Sequence, residues 1–384
     1  EGAAPPSGQA PPPPPPAPGR FAVVFPCEGE PDSDEPTGPE PRFADVVTEF
    51  TLDDVPFTVM VSLPYTPVPP VALQWDREVL MVPRGRTVQR VLSVAVRGFD
   101  DHEANHPVML SMGPGIRATS IPGRLMLTKD HDEARVLVPA TIEADELMPD
   151  ATLTFRFRKA AARLPVRAVD VTVPDGMRVL LVRGPDDTTE RALADLGVPF
   201  AALDRDGLLL AEFDDYSAIL LDIRAYHHRP ELAELRDRLL SYCRGGGRVV
   251  AMYHKSGEWN ERAGHPLLAP FPMVVGEERA TEEQAPVTML RPEHALLRQP
   301  HPLTDADFAG WVQERGLNFP KSWDAAWSPL LGTKDTADAK VHEGSLLVTQ
   351  YGQGEFVYCS LALYRQLRVG HAGAARLLVN LLAR

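Results

Sequence analysis

Polar and aromatic side chains follow two short apolar runs in the middle of the chain, residues 218–221 and 248–253. These side chains are Asp222, Arg224, Tyr226, His254, Lys255 and Glu258. Carboxylate, imidazole and guanidinium groups that converge can hold a polar ligand or supply an acid and a base. This set is therefore the first candidate ligand-binding site.

A nucleophile is hard to find among these residues. Ser256 lies close to His254, but side chains so near each other on a loop seldom face one another, and no GxSxG pattern surrounds the serine. The turn at 253–258 lacks the cysteine of a glutamine amidotransferase, and His342-Glu343 lacks that family's intervening residue. We predict no catalytic residue, and the alternative of a hydrolase with an unfamiliar constellation stays open.

Metal-ligating patterns are equally sparse. His227 and His228 are neighbours, but the other histidines are scattered and several flank prolines. No CxxC or CxxxH spacing is present, and the three cysteines are far apart. We expect no metal and no cofactor, and we interpret Cys243 and Cys359 as small core residues.

A second candidate site lies in residues 304–327, where three tryptophans stand among acids, Gln and Arg. Its candidate ligand-binding residues are Trp311, Gln313, Glu314 and Arg315. Aromatic faces beside polar groups suit a sugar ring. The alternative interpretation is that the tryptophans pin an irregular cap onto a sheet, with Arg and Glu paired beneath.

The two apolar runs predict the element that positions the first site. Leucines at helical spacing separate them, Pro230 stands near the helix start, and three glycines at 245–247 end it. A strand, a helix and a second strand of this length form a parallel crossover. Ligands bind beyond the carboxyl ends of such strands, which is where the first candidate set lies.

Alternating strand and helix patterns continue on both sides of this unit. We predict that residues 166–384 form a doubly wound parallel sheet, with 261–344 inserted as a cap. Two strands are predicted at 345–351 and 355–360, joined by a hairpin turn, and a closing helix is predicted at 372–382.

The first part of the chain is different. Residues 1–42 are rich in proline and are predicted to be a disordered linker. Residues 43–165 predict an immunoglobulin-like antiparallel β-sandwich, with a connection at 160–174. Its strand-type runs are 55–63, 88–96, 108–112, 124–127, 134–138 and 151–157.

Charge and hydropathy limit the partners. The net charge is −14 and the pI is about 5.3, which argues against nucleic acid and anionic membranes. No apolar run of membrane-spanning length occurs. The sequence starts at Glu1-Gly2, and we expect either that processing removed a segment or that this is a piece of a longer protein.

Several runs in the chain are long and irregular. They are residues 222–226, 285–288, 290–294, 307–316, 364–367, 375–377 and 380–382. These runs resemble the C-terminal region of large bacterial PIG-L (LmbE-like) deacetylases, and the likeness covers roughly residues 70–384. The resemblance implies that 43–165 is an immunoglobulin-like module and that 166–384 is a flavodoxin-like, amidotransferase-like domain, which together accompany a zinc-dependent deacetylase domain.

This resemblance implies an accessory role. The family's His-Pro-Asp-Asp zinc motif is not found, and the segment at His301-Pro302 resembles it only superficially. The activity is therefore not carried over to this chain. The expected partners are a glycan or a deacetylase domain, in the cell envelope or outside the cell.

Three functions remain open at this point. The first is a non-catalytic accessory or binding protein, with a glycan as its ligand. The second is the hydrolase already mentioned, and the third is a structural or assembly protein of the envelope. Convergent polar groups without a nucleophile would favour the binding protein. A large apolar patch on the sandwich would favour the assembly protein.

Overall fold

The computed structural model describes residues 42–52, 55–65, 70–99, 104–119 and 121–384. The predicted proline-rich linker, apart from Arg42, lies outside the described residues, as does Cys27. The described chain is rich in β-structure and contains several sheets.

A long hairpin comes first. Strands β1 (Arg42–Leu52) and β2 (Val55–Tyr65) pair antiparallel along their whole length. The strand predicted at 55–63 is thus confirmed. Within the described ranges it pairs with β1 alone and not with a sheet of the sandwich.

Two further sheets form the sandwich. Their strands are β3 (Val71–Trp75), β4 (Leu80–Pro83), β5 (Thr87–Gly98), β6 (Ala104–Ser111), β7 (Ile116–Ala118), β8 (Arg124–Leu127), β9 (Glu133–Glu143), β10 (Thr152–Phe157) and β11 (Ala160–Val169). One sheet has the order β3-β5-β9-β7 and the other β4-β11-β10-β6-β8. All pairings are antiparallel except β4 with β11, which is parallel.

Alternating apolar residues build the sandwich core. Leu92 and Val94 from β5 and Phe155 from β10 are fully buried between the sheets. Trp75 packs edge-on against Phe155, with ring centroids 6.3 Å apart, and its indole N–H donates to the carbonyl of Ala162 at 3.1 Å. The core is therefore made of apolar side chains without a disulfide.

The predicted connection at 160–174 is wrong over most of its length, because residues 160–169 form strand β11. Ala162, Leu164 and Val166 are buried at every second position, as a half-buried strand requires. The three consecutive alanines and Pro165 hid this alternation. The predicted boundary at 165/166 consequently falls inside a strand.

The second half of the chain alternates strands and helices. Its elements are β12 (Val179–Val182), α1 (Thr188–Leu196), β13 (Phe200–Ala202), α2 (Arg205–Leu210), β14 (Ala218–Leu221), α3 (Ala225–His228), α4 (Leu232–Arg244), β15 (Arg248–Met252), α5 (Ser256–Trp259), β16 (Met273–Val275), β17 (Arg279–Ala280), β18 (Val287–Met289), α6 (Ala295–Arg298), β19 (Gly316–Leu317), β20 (Pro320–Trp323), β21 (Ser328–Thr333), β22 (His342–Tyr351), β23 (Gly354–Cys359), α7 (Leu363–Arg368) and α8 (Ala372–Leu382).

One mixed sheet of eight strands organises these elements. Its order is β13-β12-β14-β15-β23-β22-β21-β18, in which the first five strands are parallel and the last three antiparallel. Apolar residues of α1, α7 and α8 cover one face, and those of α2 and α4 cover the other. All residues of β14 and β15 are therefore buried, as their continuous apolar sequence predicts.

The predicted crossover and closing helix are confirmed. Leucines of α4 lie in the core, and α8 has the predicted bounds. Cys243 and Cys359 are buried free thiols, as expected. None of the helices in the described part is long and apolar enough to cross a membrane.

The predicted cap at 261–344 is partly sheet. Strands β18 and β21 extend the main sheet at its edge, and β16–β20 and β17–β19 form two small antiparallel pairs. These strands are short and lack an alternating pattern, so their pairing could not be predicted from local sequence.

Helix α1 joins the sandwich to the α/β part. Asp195, buried near its end, accepts a hydrogen bond from the Arg77 guanidinium at 2.7 Å and one from the Met81 N–H at 3.1 Å. Met81 itself packs into the apolar core beneath α1. The two parts thus share buried contacts.

Gly354 tests the packing at the start of β23. A Cβ there would lie 2.1 Å from the carbonyl oxygens of Cys243 and Gly247, so Gly354→Ala must displace backbone. We expect the free energy of unfolding to fall by roughly 1–3 kcal/mol or more, measured by urea denaturation. Gly113→Ala is the control, because no atom would lie within 4 Å of its Cβ. Equal unfolding midpoints for the two variants would contradict this packing.

Candidate functional site

The ends of β14 and β15 bring the first candidate set together. Asp222 follows β14 directly, and His254 comes two residues after β15. The loop at 222–226 donates hydrogen bonds to the turn at 253–258 from the side chain and N–H of Arg224 and from the N–H of Tyr226. The structure thus places these residues beside one another, but their side chains have different roles.

Asp222 is a buried structural carboxyl. Its side chain is 1% exposed and accepts a hydrogen bond from the Thr189 hydroxyl at 2.7 Å. The N–H groups of Ile223 and Gly184 also donate to it, which ties α1 and two strand-end loops together. Burial raises the pKa of this carboxyl to about 7, against the opposing effect of those hydrogen bonds.

His254 is fully buried, and both of its ring nitrogens are occupied. Nδ1 lies 2.8 Å from the carbonyl of Met252, and Nε2 accepts from the N–H of Tyr226 at 3.0 Å. Because a nitrogen that accepts is unprotonated, the ring is neutral with its proton on Nδ1. Burial lowers its pKa to about 4, so His254 has no free nitrogen for a substrate or a metal.

Arg224 and Glu258 form the pair that faces outward. The guanidinium donates through Nε at 2.9 Å and through Nη2 at 2.5 Å to Glu258 Oε1. Arg224 has the left-handed φ of 52°, which turns its side chain towards that carboxylate. Burial raises the pKa of Glu258, but hydrogen bonds from Arg224 and the Lys255 N–H outweigh it, so the pKa is lowered overall.

Tyr226 and Ser256 do not reach a shared site. Tyr226 is buried, donates to the carbonyl of Pro266 at 2.8 Å and stacks on His265 with ring centroids 4.0 Å apart. The Ser256 hydroxyl lies 3.2 Å from Glu277 and shares no hydrogen bond with His254. Lys255 is exposed at the rim.

The tryptophan segment corrects the sugar-stacking interpretation. Trp311 is 1% exposed, and its indole N–H donates to the carbonyl of Asp307 at 3.0 Å. Arg315 is also buried, donates to the carbonyl of Ala285 and lies over the Trp311 ring. These side chains hold the irregular segment onto the α/β core, because neither presents a surface to solvent.

Glu314 and Gln313 do reach the strand ends. Glu314 is buried and is bridged by Arg279 at 2.7 Å and Arg365 at 2.6 Å. Gln313 is exposed, has a left-handed φ of 66° and contacts the Arg365 guanidinium through its side-chain oxygen. Arg365 belongs to α7, which follows β23, the third strand ending at this edge.

Sequence reasoning missed the aromatic pair of this edge. The rings of Tyr253 and Tyr364 are 6.0 Å apart and nearly parallel, and Arg365 and Arg368 lie over the Tyr364 ring at 5.2 and 5.9 Å. Burial raises the pKa of Tyr253 to about 12. Both tyrosines come shortly after a strand end, at β15 and β23, and this position in the sequence could have identified them.

We call these groups the strand-end surface, which comprises Arg224, Tyr253, Glu258, Arg279, Gln313, Glu314, Tyr364 and Arg365. Within the described ranges, no group of three His, Cys, Asp or Glu side chains could hold a metal ion. The arrangement offers hydrogen-bond donors, one aromatic pair and two ion-paired carboxylates.

No protein-family model and no curated protein matches this chain. Solved structures with partial similarity include a β-galactosidase from Rahnella sp. R3 (15% identity, 55% of this chain and 31% of that one, TM-score 0.34). Others are the exo-β-1,4-mannosidase Op5Man5 from Opitutaceae bacterium strain TAV5 (12%, 56% and 36%, 0.34) and domains 4 and 5 of the S-layer protein SbsC (13%, 33% and 58%, 0.19). The chain spans about a third of either glycosidase. TM-scores this low define neither a shared fold nor a shared function.

Asp222 gives a pH-dependent prediction. Because its pKa is raised from 3.8 to about 7 in the folded protein, the folded state binds this proton more tightly than the unfolded chain does. The resulting stabilisation is present below the unfolded pKa and is lost as the pH rises through about 7. Asp222→Asn removes the ionisable group. Wild type should therefore lose stability relative to this variant, by roughly a few kcal/mol between pH 4 and pH 8, measured by urea denaturation.

The exposed Asp206 supplies the control for this comparison. Its carboxyl lies in solvent on α2, so Asp206→Asn should leave the pH profile of stability unchanged. His254 titrates in wild type and variant alike and cancels in the difference. A difference between wild type and Asp222→Asn that stays constant with pH would show that Asp222 ionises normally.

Proposed function

We propose that this chain is the non-catalytic accessory or binding half of a PIG-L-type deacetylase-like protein, and that it binds a glycan at the strand-end surface. One observation carries the proposal: the polar side chains at the strand ends already form hydrogen bonds within the protein. His254 uses both nitrogens, Asp222 is enclosed, and Glu258 is bound by Arg224. No activated nucleophile remains among them.

The topology supports the amidotransferase-like part of this proposal. Numbered along the chain, the five parallel strands have the order 2-1-3-4-5 of flavodoxin-like folds, whose ligands bind at the strand ends. The two sheets of the sandwich suit an immunoglobulin-like module. In an amidotransferase the strand end would carry a cysteine, and here Tyr253 and His254 follow β15.

A hydrolase is the weaker alternative. A feature in its favour is the raised pKa of Asp222, a property typical of catalytic acids. However, this carboxyl is 1% exposed and points at Thr189, so a substrate cannot reach it. Glu258, the other acid of the first candidate set, is also buried and is kept ionised by Arg224.

The glycan as ligand follows from the mixture of groups on the surface. Tyr364 is half-buried, and guanidinium groups lie around its ring. Sugars bind where aromatic carbon and hydrogen-bond donors lie together, since each ring has apolar and hydroxylated parts. Arg365 and Gln313 supply such donors and acceptors beside the ring.

An envelope or extracellular setting belongs to the same proposal, because it rests on the resemblance to PIG-L-type proteins.

An assembly function is a second candidate. Val91 and Leu137 are more than half exposed on the outer face of neighbouring strands β5 and β9. Val91 lies opposite Pro139 and Leu137 opposite Ser93, so the two apolar side chains are diagonal neighbours, and exposed apolar neighbours can form a contact surface.

Tyr364→Ala tests the binding site. We expect roughly tenfold or greater loss of affinity for a neutral N-acetylglucosamine oligomer, triacetylchitotriose, in calorimetric titration, because the aromatic contact is removed. Tyr351→Ala is the matched control, since Tyr351 is also a half-buried tyrosine but lies on β22, beside Arg244. Equal affinities of the two variants, with both folds intact, would rule out this site.

Glu258→Gln tests whether the strand ends catalyse. Hydrolysis of acetylated chito-oligosaccharides by wild type and by the variant should be equal to the uncatalysed background, measured by release of acetate and of reducing ends. Turnover by wild type that this substitution abolishes would establish the hydrolase instead. Circular dichroism of both proteins checks that the fold is retained.

A further inference from the structure

The hairpin of β1 and β2 forms a sheet of its own. Its strands pair from Arg42 opposite Tyr65 to Leu52 opposite Val55, and in the described part of the chain neither strand pairs with a third. A two-stranded hairpin is at best marginally stable in water unless another layer packs against it. The hairpin therefore needs a surface to pack on.

The register divides the hairpin into two unlike faces. Residues directly opposite each other share a face, and so does every second residue along a strand. The charged residues Asp45 and Glu49 fall on one face. The other, which we call the apolar hairpin face, consists of Arg42, Ala44, Val46, Thr48, Phe50, Leu52, Val55, Phe57, Val59, Val61, Leu63 and Tyr65.

Solvent reaches the apolar hairpin face. Val61, near its middle, is 48% exposed, and Val55, beside the turn, is 53% exposed. The face extends along strands of 11 residues, or about 37 Å at about 3.4 Å per residue. A contiguous exposed apolar surface of this size is rare on a monomer and marks a site of association.

The area of this face suits a second copy of the chain. Its three aromatic residues can bury about 150 Å² each, or roughly 450 Å² per copy. Two copies packed face to face then bury roughly 900 Å² through aromatic residues alone, and the aliphatic residues add to this. The total exceeds the roughly 1,000 Å² that a specific protein–protein interface requires.

Charge favours the same occupant. Two copies that each carry a net charge of −14 repel one another, so they associate stably only through a surface free of carboxylates. The apolar hairpin face meets this condition, because its charged residue is Arg42, at one end. A two-fold axis brings the same residues of both copies together, so a uniformly apolar face is complementary to itself.

From these observations we infer that the chain forms a homodimer in which the apolar hairpin faces of two copies pack against each other. The four strands then form two layers about 10 Å apart, like the sheets of a β-sandwich. This inference goes beyond the proposed glycan binding and does not depend on it, because the hairpin contains no residue of the strand-end surface.

Val61→Asp tests the interface by sedimentation velocity of the full chain. Between about 10 and 100 µM, wild type should sediment as a dimer of the 42.1 kDa chain. The variant should sediment as a monomer, with its dimer dissociation constant weakened roughly a hundredfold or more, because the new carboxylate would be buried without a partner. Met60→Asp is the matched control, since Met60 is 64% exposed, adjacent in sequence and on the opposite face, and its dimer should persist.

The remaining outcomes decide against the inference. A wild-type monomer over this concentration range overturns it, and so does a dimer that survives Val61→Asp or that Met60→Asp dissociates equally. A dimer that is disrupted by Leu137→Asp but not by Val61→Asp forms through the outer face of the sandwich instead. Circular dichroism checks the fold of each variant, and Val55→Asp, on the same face, carries the same expectation if Val61→Asp does not fold.

Discussion

The strand ends of the α/β sheet depend on two buried polar side chains. Asp222 holds the Thr189 hydroxyl and backbone N–H groups, and His254 accepts from the N–H of Tyr226. A buried backbone N–H without a partner costs about 1–3 kcal/mol, so these bonds decide where the loops lie. Burial also favours the uncharged form of each group. The residues that most resemble catalytic machinery thus hold the loops in place.

The sandwich contributes to the surroundings of this edge. A cavity of about 170 Å³ lies between the loop at 76–79 and helix α1, and it extends to Arg368. Arg368 binds Asp186, lies 3.7 Å from Glu78 of the sandwich and covers the Tyr364 ring. The sandwich therefore touches the same arginine that supports the aromatic pair. Removing the sandwich would remove part of the support for the strand-end surface.

Much of the α/β architecture could be predicted, because its signals are local. The apolar runs of β14 and β15, and the spacing of leucines in α4, are visible in the sequence. Strands β18 and β21 could not be predicted, since their residues do not alternate and about 40 residues separate β18 from β21. The candidate site was partly predictable for the same reason. The strand-end rule locates Asp222 and His254, but it does not reveal that both side chains are buried, and it located neither Tyr364 nor Arg279.

Left-handed backbone occurs at two positions of the strand-end surface. Among the described residues, four other than glycine have a left-handed φ, and Arg158 is in the turn between β10 and β11. Arg224 and Gln313 belong to the strand-end surface, and Asn318 binds the carbonyl of Gly276 nearby. Such backbone costs on the order of 1–3 kcal/mol per residue and persists where other contacts enforce it. At Arg224 and Gln313 it directs side chains to Glu258 and Arg365, which makes little contribution to the core. The left-handed backbone at these two positions is therefore enforced by contacts between side chains.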